Sequence, residues 1–166
     1  MLEHLHRELG IPGDYGREPP RPRFDEAADL VDVGPNLVGR LQRLTPRAAV
    51  QWRAMQEAAA GDDVRLLLVS GYRSMEYQAG LIRRKLAAGQ SIEEILAVNA
   101  APGYSQHHTG EAIDIATPGF RPLTEEFEAS PAYRWLARRA GEFGFSMSYP
   151  RDNRYGFIYE PWHWAL

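Results

Sequence analysis

The ten residues from Ser105 to Asp114, SQHHTGEAID, constrain the fold more than any other stretch of this chain. Gly110 favours a turn, because glycine adopts backbone angles that other residues avoid. The residues after it alternate, so Ile113 would face a core while Asp114 lies on the opposite face of a strand. His107 before the turn and Asp114 after it both carry ligand atoms that zinc accepts. The segment therefore predicts a turn followed by a strand with a candidate metal ligand.

The C-terminal segment YEPWHW adds the other residues that a catalytic metal site needs. A His and an Asp this close in sequence occur in many soluble proteins without binding a metal. His163 supplies a third potential ligand, and three protein ligands with one open position are typical of a catalytic zinc site. Glu160, three residues earlier, has the chemistry of a general base for a metal-activated water.

The three-residue spacing of Glu160 and His163 is incompatible with a regular strand if both residues serve one metal. In one regular strand, His163 and Glu160 would point to opposite faces and could not serve the same metal. Pro161 lies between them and cannot donate a hydrogen bond to a neighbouring strand. We therefore predict a bend or bulge at Pro161. Trp162 and Trp164 are interpreted as core or as walls of the site.

Three motifs in this chain resemble those of the zinc D-alanyl-D-alanine carboxypeptidases of the VanY type. The segment Ser105–Asp114 fits the pattern S-x-H-x-x-G-x-A-x-D, and Glu160–His163 fits E-x-W-H. Ser70–Ser74, SGYRS, followed by Gln78, is similar to a further segment of these enzymes. Three motifs in the family's order are a far more specific signal than any one of them alone.

The resemblance implies a role for each matched residue. It implies that zinc is bound by His107, Asp114 and His163. It implies that Glu160 is the catalytic base. The residues that it implies in substrate binding are Arg73, Gln78 and Ser105. The guanidinium of Arg73 can grip either the developing oxyanion or the terminal carboxylate of the substrate with two hydrogen bonds, and both alternatives stay open.

The activity implied by the resemblance is removal of a C-terminal D-alanine from peptidoglycan stem peptides. L,D-carboxypeptidases and endolysin-type peptidases of the same fold have similar motifs, so these alternatives also stay open. A third alternative is a non-catalytic zinc-containing module, as in hedgehog proteins. Glu160 and Arg73 favour an enzyme, because a structural zinc needs neither. His108 is poorly placed to share a metal with its neighbour His107, so we expect it to line the site or face solvent.

Composition limits the class of protein and its partners. The 166 residues are 44% hydrophobic and 25% charged, which is typical of one globular domain with its own core. The net charge of −3 gives no electrostatic reason to expect a nucleic-acid partner. No apolar run approaches the roughly 20 residues of a membrane span. The absence of cysteine excludes disulfides and thiolate ligands.

The N-terminal decapeptide MLEHLHRELG lacks the long apolar region of a signal peptide. We therefore expect a periplasmic or cell-envelope location only if a leader precedes this sequence, and a cytoplasmic one otherwise. Residues 1–29, which include the Pro- and Arg-rich segment 17–23, are interpreted as an N-terminal extension, with 17–23 extended on or beside the domain. Residues 30–166 are interpreted as a single zinc peptidase domain.

The remaining patterns predict an α+β fold, in which helices pack on a small, mainly antiparallel sheet that carries the site. The resemblance to the VanY-type enzymes implies that this is the hedgehog/DD-peptidase-like fold and that the site on the sheet binds zinc. Helices are predicted over 45–61, 75–88, 91–98 and 130–140 from their caps and apolar spacing. Thr124 is predicted to cap a further helical turn. A buried strand is predicted over 66–69, and a hairpin with strands over 145–149 and 156–159.

Overall fold

The computed structural model describes every residue from Met1 to Leu166. Its helices are α1 (Leu2–Leu9), α2 (Pro46–Gly61), α3 (Met75–Ala87), α4 (Ile92–Val98) and α5 (Pro131–Arg139). Its strands are β1 (Val31–Pro35), β2 (Leu41–Leu44), β3 (Leu67–Ser70), β4 (Ala112–Ala116), β5 (Ser146–Met147) and β6 (His163–Ala165). Short 3₁₀ helices span Gln106–Thr109, Glu125–Ala129 and Ala140–Phe143. None of the helices combines the length and the hydropathy that crossing a bilayer requires.

The strands form a β1–β2 hairpin and a separate four-stranded antiparallel sheet in the order β3-β4-β6-β5. Helices pack against these sheets, which confirms the predicted α+β class. In the larger sheet, Asp114 of β4 lies opposite Ser70 of β3 on one side and His163 of β6 on the other. This register brings three segments that are distant in sequence to one point.

The main core lies between the larger sheet and helices α2 and α5. Ile113 and Ile115 of β4 are fully buried there, as their alternation predicted. Met55 of α2 and Trp135 of α5 are buried against them. Removing large apolar side chains such as these from water stabilises a fold by about 1.5–3 kcal/mol each. The core therefore holds β4 rigidly from one face and leaves its other face for the site.

The predicted helix starts are confirmed with one exception. Thr45, Ser91 and Ser130 each accept a hydrogen bond from a backbone N–H in the first turn of their helix. The helical turn after Thr124 also forms, but the predicted cap is wrong. The Thr124 hydroxyl donates to the carbonyl of Arg121 at 2.9 Å instead of accepting from the turn.

The strand predictions needed two corrections. The strand predicted over 66–69 starts one residue later as β3, and Leu68 is its one buried residue because β3 is an edge strand. The predicted hairpin is wrong, since residues 156–159 form no strand and β5 pairs with β6. Asn153 explains the difference. Its side-chain nitrogen donates to the carbonyls of Pro150 and Phe157, and its side-chain oxygen accepts from the N–H groups of Tyr155 and Phe157. These backbone groups are therefore not available for hydrogen bonds to a neighbouring strand.

The N-terminal residues contribute a second, smaller core. Leu5 and Leu9 of α1 are buried together with Ile82 of α3 and Ile95 of α4. The segment 21–27 then has no regular secondary structure and lies against the domain, where the N–H of Phe24 donates to the carbonyl of Gly103 and that of Ala27 to the carbonyl of His108, while residues 17–20 form turns. The prediction that the Pro- and Arg-rich segment 17–23 is extended is therefore wrong for residues 17–20. The division of the chain at residue 30 stays a prediction.

The burial of Leu9 tests whether α1 belongs to the cooperative folding unit. Leu9→Ala removes a side chain that is 3% exposed, and we expect a loss of about 2–5 kcal/mol in the free energy of unfolding. Val50→Ala, at a position on α2 that is 64% exposed, is the control and should change it by less than about 0.5 kcal/mol. Urea unfolding measures both. Equal stabilities would show that α1 unfolds independently of the rest.

Candidate metal centre

Three predicted ligand residues converge in the structure. His107 lies on the 3₁₀ helix Gln106–Thr109, Asp114 in β4 and His163 at the start of β6. One ligand atom from each lies within 4.8 Å of the others, and all three residues are buried. The Nε2 atom of His107 is 3.2 Å from Asp114 Oδ2, and the Nδ1 atom of His163 is 3.0 Å from Asp114 Oδ1. This spacing suits a single metal ion.

Each histidine ring is oriented by a hydrogen bond from the nitrogen that points away from Asp114, here called the outer nitrogen. His107 Nδ1 donates to the carbonyl of Gly71 at 2.7 Å, and His163 Nε2 donates to Oε1 of Gln106 at 2.8 Å. Each inner nitrogen is then left with a lone pair that faces Asp114. Burial, with the nearby charge of Arg73, lowers the pKa of His107 to about 4, so its imidazole is neutral at physiological pH. These are the tautomers that metal coordination requires.

Asp114 is held as a carboxylate in the interior. Arg73 Nη2 donates to Asp114 Oδ2 at 2.6 Å, and the Arg73 Nε donates to the Ser70 hydroxyl at 2.8 Å. Burial alone would raise the pKa of Asp114, but its contacts with His107, His163 and Arg73 hold it well below its ordinary value. Among these, Arg73 is the charged donor when both imidazoles present lone pairs to the carboxylate. The carboxylate is therefore available as an anionic ligand.

Glu160 approaches the same point without joining the ligand set. Its Oε2 lies 3.9 Å from His163 Nδ1, and the N–H of His163 donates to the carbonyl of Glu160 at 3.2 Å. The chain turns tightly around Pro161, and the regular strand begins only at His163, which confirms the predicted bend. Burial raises the pKa of the Glu160 carboxyl to about 7. A carboxyl with this pKa can both take up and release a proton near neutrality.

All seven predicted site residues line one cleft. They are Arg73, Gln78, Ser105, His107, Asp114, Glu160 and His163. Gln78 is 1% exposed, and its Nε2 donates to the carbonyl of Ala100 at 2.9 Å while its Oε1 has no protein partner. Ser105 accepts a hydrogen bond from the N–H of His107, which leaves its own hydroxyl proton free to donate. The cleft thus offers one acceptor and one donor beside the ligands.

Gly110 sets the path of the chain between the candidate ligands His107 and Asp114. It ends the 3₁₀ helix with φ of 67°, in the left-handed region that favours glycine. A Cβ atom there would lie 2.9 Å from Leu30 Cδ2, so a larger residue would also clash. The predicted turn at this position is confirmed.

Comparison with known proteins agrees with this geometry. The family model of VanY, described as D-alanyl-D-alanine carboxypeptidase, matches residues 41–166. The chain belongs to the VanY family. It is 30% identical to the Bacillus subtilis protein YodJ over 98% of this chain and 58% of YodJ. It is 32% identical to a D-alanyl-D-alanine carboxypeptidase of Enterococcus faecalis over 74% of this chain and 48% of that enzyme. The chain thus spans about half the length of these curated relatives.

Solved structures of VanY-like enzymes have the same fold. The LD-carboxypeptidase LdcB superposes with a TM-score of 0.74 and 31% identity, over 87% of this chain and 70% of LdcB. VanYB in complex with D-alanine-D-alanine superposes with a TM-score of 0.64 and 28% identity, over 93% of this chain and 80% of VanYB. A vancomycin-resistance D,D-pentapeptidase VanY with Zn(II) gives 0.66 and 27%, over 88% of this chain and 82% of VanY.

His108 has a different position from the one expected within the VanY motif. It neither lines the cleft nor faces solvent, because it is fully buried. Its Nδ1 donates to the carbonyl of Arg73 at 2.7 Å, and its Nε2 accepts from the N–H of Gly103 at 3.0 Å. Successive residues of a 3₁₀ helix point about 120° apart, so His107 and His108 face different surroundings. His108 therefore joins two segments behind the site.

Sequence analysis missed several residues of the cleft. The additional lining residues are Val98, Asn99, Ala100, Tyr149 and Phe157. The ring of Tyr149 lies 4.7 Å from that of His163, and its pKa is raised by burial and by the charge of Glu160. Gln106, which orients His163, was also missed. The alternation over 145–149 correctly marks Tyr149 as inward-facing, but no local pattern indicates which residue it contacts.

The hydrogen bonds of His108 lead to a stability prediction. His108→Ala leaves the carbonyl of Arg73 and the N–H of Gly103 without partners inside the protein. We expect a loss of about 1–3 kcal/mol in the free energy of unfolding for each unsatisfied group, measured by urea denaturation. The control is His4→Ala at an exposed position, which should have little effect. A fully stable His108→Ala protein would contradict this structural role.

Proposed function

We propose that this chain is a zinc-dependent carboxypeptidase that removes a C-terminal D-alanine from peptidoglycan stem peptides. The observation that carries the proposal is the convergence of three buried ligand residues with Glu160 and Arg73 in one cleft. Membership of the VanY family and the likeness to VanYB with bound D-alanine-D-alanine support the substrate class. We assign residues 30–166 to the peptidase domain and residues 1–29 to an extension packed against it.

The three residues fit zinc by their chemistry. His107 Nε2 and Asp114 Oδ2 lie 3.2 Å apart, although both are lone-pair acceptors when Nδ1 of His107 carries the proton. A cation between such atoms removes their repulsion, and two imidazoles with one carboxylate suit zinc. We assign His107, Asp114 and His163 as its ligands. Zinc in this site would supply a lowered pKa for a water ligand and polarisation of the scissile carbonyl.

The other residues of the cleft handle the proton and the substrate. Glu160, with its pKa raised to about 7, accepts the proton of the attacking water and passes it to the leaving amine. Arg73 uses Nε and Nη2 within the protein, so its remaining N–H groups are available to a substrate carboxylate or oxyanion. We assign Gln78 Oε1 as an acceptor and the Ser105 hydroxyl as a donor for the substrate, because neither has its full complement of partners.

A second candidate activity is L,D-carboxypeptidase, favoured by the structural similarity to LdcB. It would use the same metal site and the same base. It differs in the substrate, because the residue before the cleaved bond is an L-amino acid of the stem tetrapeptide and not the D-alanine of a pentapeptide. Endolysin-type cleavage within the stem peptide is a further alternative. A non-catalytic zinc module is disfavoured, because it gives no reason for a buried carboxyl at Glu160 beside the ligands.

The ligand assignment predicts a specific pattern of zinc content. Wild-type protein should hold about one zinc per chain, and His163→Ala should lose most of it because only two ligands remain. Glu160→Gln is the matched control. It alters a residue within 3.9 Å of His163 but removes no ligand, so zinc should stay bound. Elemental analysis after dialysis measures both. Zinc retained in His163→Ala, or lost in Glu160→Gln, would overturn the assignment.

Turnover of defined peptides tests the proposed activity. Zinc-loaded protein should release D-alanine from a pentapeptide ending in D-Ala-D-Ala faster than from an L,D-ended tetrapeptide, with products identified by mass. Glu160→Gln should lower kcat by about 10²–10⁴-fold, because the amide cannot accept a proton. Preference for the tetrapeptide would establish the L,D alternative. Full activity in Glu160→Gln would assign the proton transfer to another group.

A further inference from the structure

We propose that a groove beside the cleft, here called the arginine groove, binds a second carboxylate of the peptide substrate, upstream of the two residues that flank the scissile bond. The proposal rests on the proposed function, because it names a further feature of the same substrate. The groove lies between the β1–β2 hairpin, the end of β3 and the first turn of α3, and its volume is about 160 Å³. The lining residues that matter for the argument are Arg40, Arg43, Ser70, Tyr72, Arg73 and Tyr77.

The arginine groove contains cations and no carboxylate. The whole chain has more acidic than basic residues, 22 against 19, yet none of the residues that line this groove is Asp or Glu. Neither Arg40 nor Arg43 forms an ion pair within the protein, whereas Arg83 contacts two carboxylates at 2.6 Å. The positive charge of the groove is therefore not neutralised by the protein itself, and it favours an anionic ligand.

Both exposed arginines of the groove lie against tyrosine rings. The Cζ atom of Arg40 is 5.3 Å from the ring centroid of Tyr77, and its Nη1 donates to the hydroxyl of that residue at 3.0 Å. The Cζ atom of Arg43 is 5.4 Å from the ring centroid of Tyr72. These contacts restrict the two side chains before a ligand arrives, which lowers the entropy lost on binding. Most of their N–H groups have no partner in the protein, so each guanidinium can grip a carboxylate with two hydrogen bonds.

Glu26 is the acidic residue that comes near this surface, and it is already engaged. Its carboxylate accepts a hydrogen bond from the N–H of Met75 and lies close enough to Tyr72 to raise the pKa of that hydroxyl. Glu26 does not line the groove. It therefore does not occupy the place that we assign to the substrate carboxylate.

The arginine groove adjoins the cleft at two points. Arg73 lines both, and its Nε donates to the hydroxyl of Ser70, which lines the groove. Tyr77 of the groove and Gln78 of the cleft are neighbours in the first turn of α3. A carboxypeptidase substrate ends in the cleft, so only its upstream residues can extend out of it. An upstream residue that extends past Arg73 would meet the other two arginines, which makes a peptide carboxylate the anion that fits.

The test compares peptides that differ by one charge. Each peptide ends in D-Ala-D-Ala and has a glutamate one, two or three residues before that pair, and its twin has a glutamine at the same place. Three positions are needed because an extended peptide advances about 3.3–3.6 Å per residue. The C-terminal carboxylate is common to both twins, so its contribution cancels. Calorimetry measures the affinities with zinc-loaded Glu160→Gln protein, which is expected to keep the metal without consuming the peptide.

Two double variants with the same net charge separate the groove from charge in general, each made in the Glu160→Gln protein. Arg40→Gln with Arg43→Gln removes both exposed cations of the groove. Arg121→Gln with Arg138→Gln is the matched control, because these exposed residues line neither the groove nor the cleft. Affinities are measured at about 0.1 M and about 1 M salt, since the Debye length falls from about 10 Å to about 3 Å over this range.

We expect at least one glutamate peptide to bind about 3–10-fold more tightly than its glutamine twin at the lower salt concentration, and the difference to shrink at the higher one. The difference should disappear without Arg40 and Arg43 and persist in the control variant. Equal affinities within every pair of twins would overturn the proposal. So would a preference for glutamate that survives loss of both groove arginines, or one that is lost equally in the control.

Turnover by zinc-loaded wild-type protein distinguishes failure of this proposal from failure of the proposed function. Because the groove lies away from the reacting atoms, the favoured glutamate peptide should have a lower KM than its twin and the same kcat. If no D-alanine is released but the arginine-dependent preference in binding remains, the proposed activity fails and the groove assignment stands. If both twins are cleaved with equal KM and bind equally, the activity stands and the groove assignment is overturned.

Discussion

The buried carboxylate of Asp114 is the feature on which the rest of the site depends. A lone charge in the interior costs several kcal/mol, so it persists only with partners that compensate it. Arg73 contacts one oxygen at 2.6 Å, and each histidine approaches an oxygen from a different segment. The sheet register makes this possible, because Asp114 lies opposite both Ser70 and His163. Asp114 is therefore the residue around which the side chains of Arg73, His107 and His163 are arranged.

The imidazoles of the two proposed histidine ligands are oriented by Gly71 and Gln106, which do not line the cleft. His108 ties the carbonyl of Arg73 to the N–H of Gly103, while Gln106 connects His163 to Ser148. Neither supporting residue is an assigned ligand or catalytic group. Gln106, His107 and His108 are consecutive residues of one 3₁₀ helix. They reach different partners because successive residues of such a helix point about 120° apart. The short segment thus carries the proposed ligand His107 between two residues, Gln106 and His108, that support other parts of the site.

The motifs predicted the seven cleft residues, and cap signals predicted most helix starts, because both depend on local chemistry. Contacts between distant segments were not predictable in this way. The hairpin over 156–159 was wrong because the Asn153 amide satisfies the backbone groups that a ladder would need. The apolar residues Leu5 and Leu9 had helical spacing, but burial of α1 depends on partners far along the chain. The expected position of His108 was wrong because the sequence does not show in which direction a side chain of a 3₁₀ helix points.

Two carboxyl groups close together acquire different roles from their surroundings. Asp114 accepts a hydrogen bond from the charged Arg73 at 2.6 Å, and its pKa is held well below the ordinary value, so it remains an anion. Glu160 has no hydrogen-bonded cation, and burial raises its pKa to about 7. That pKa already includes the opposing effects of His163 and Arg73 and a smaller rise caused by the Asp114 charge. The fold thereby separates a carboxylate that stays ionised from a carboxyl group that exchanges protons near neutrality, which is the combination that the proposed metal-assisted hydrolysis would need.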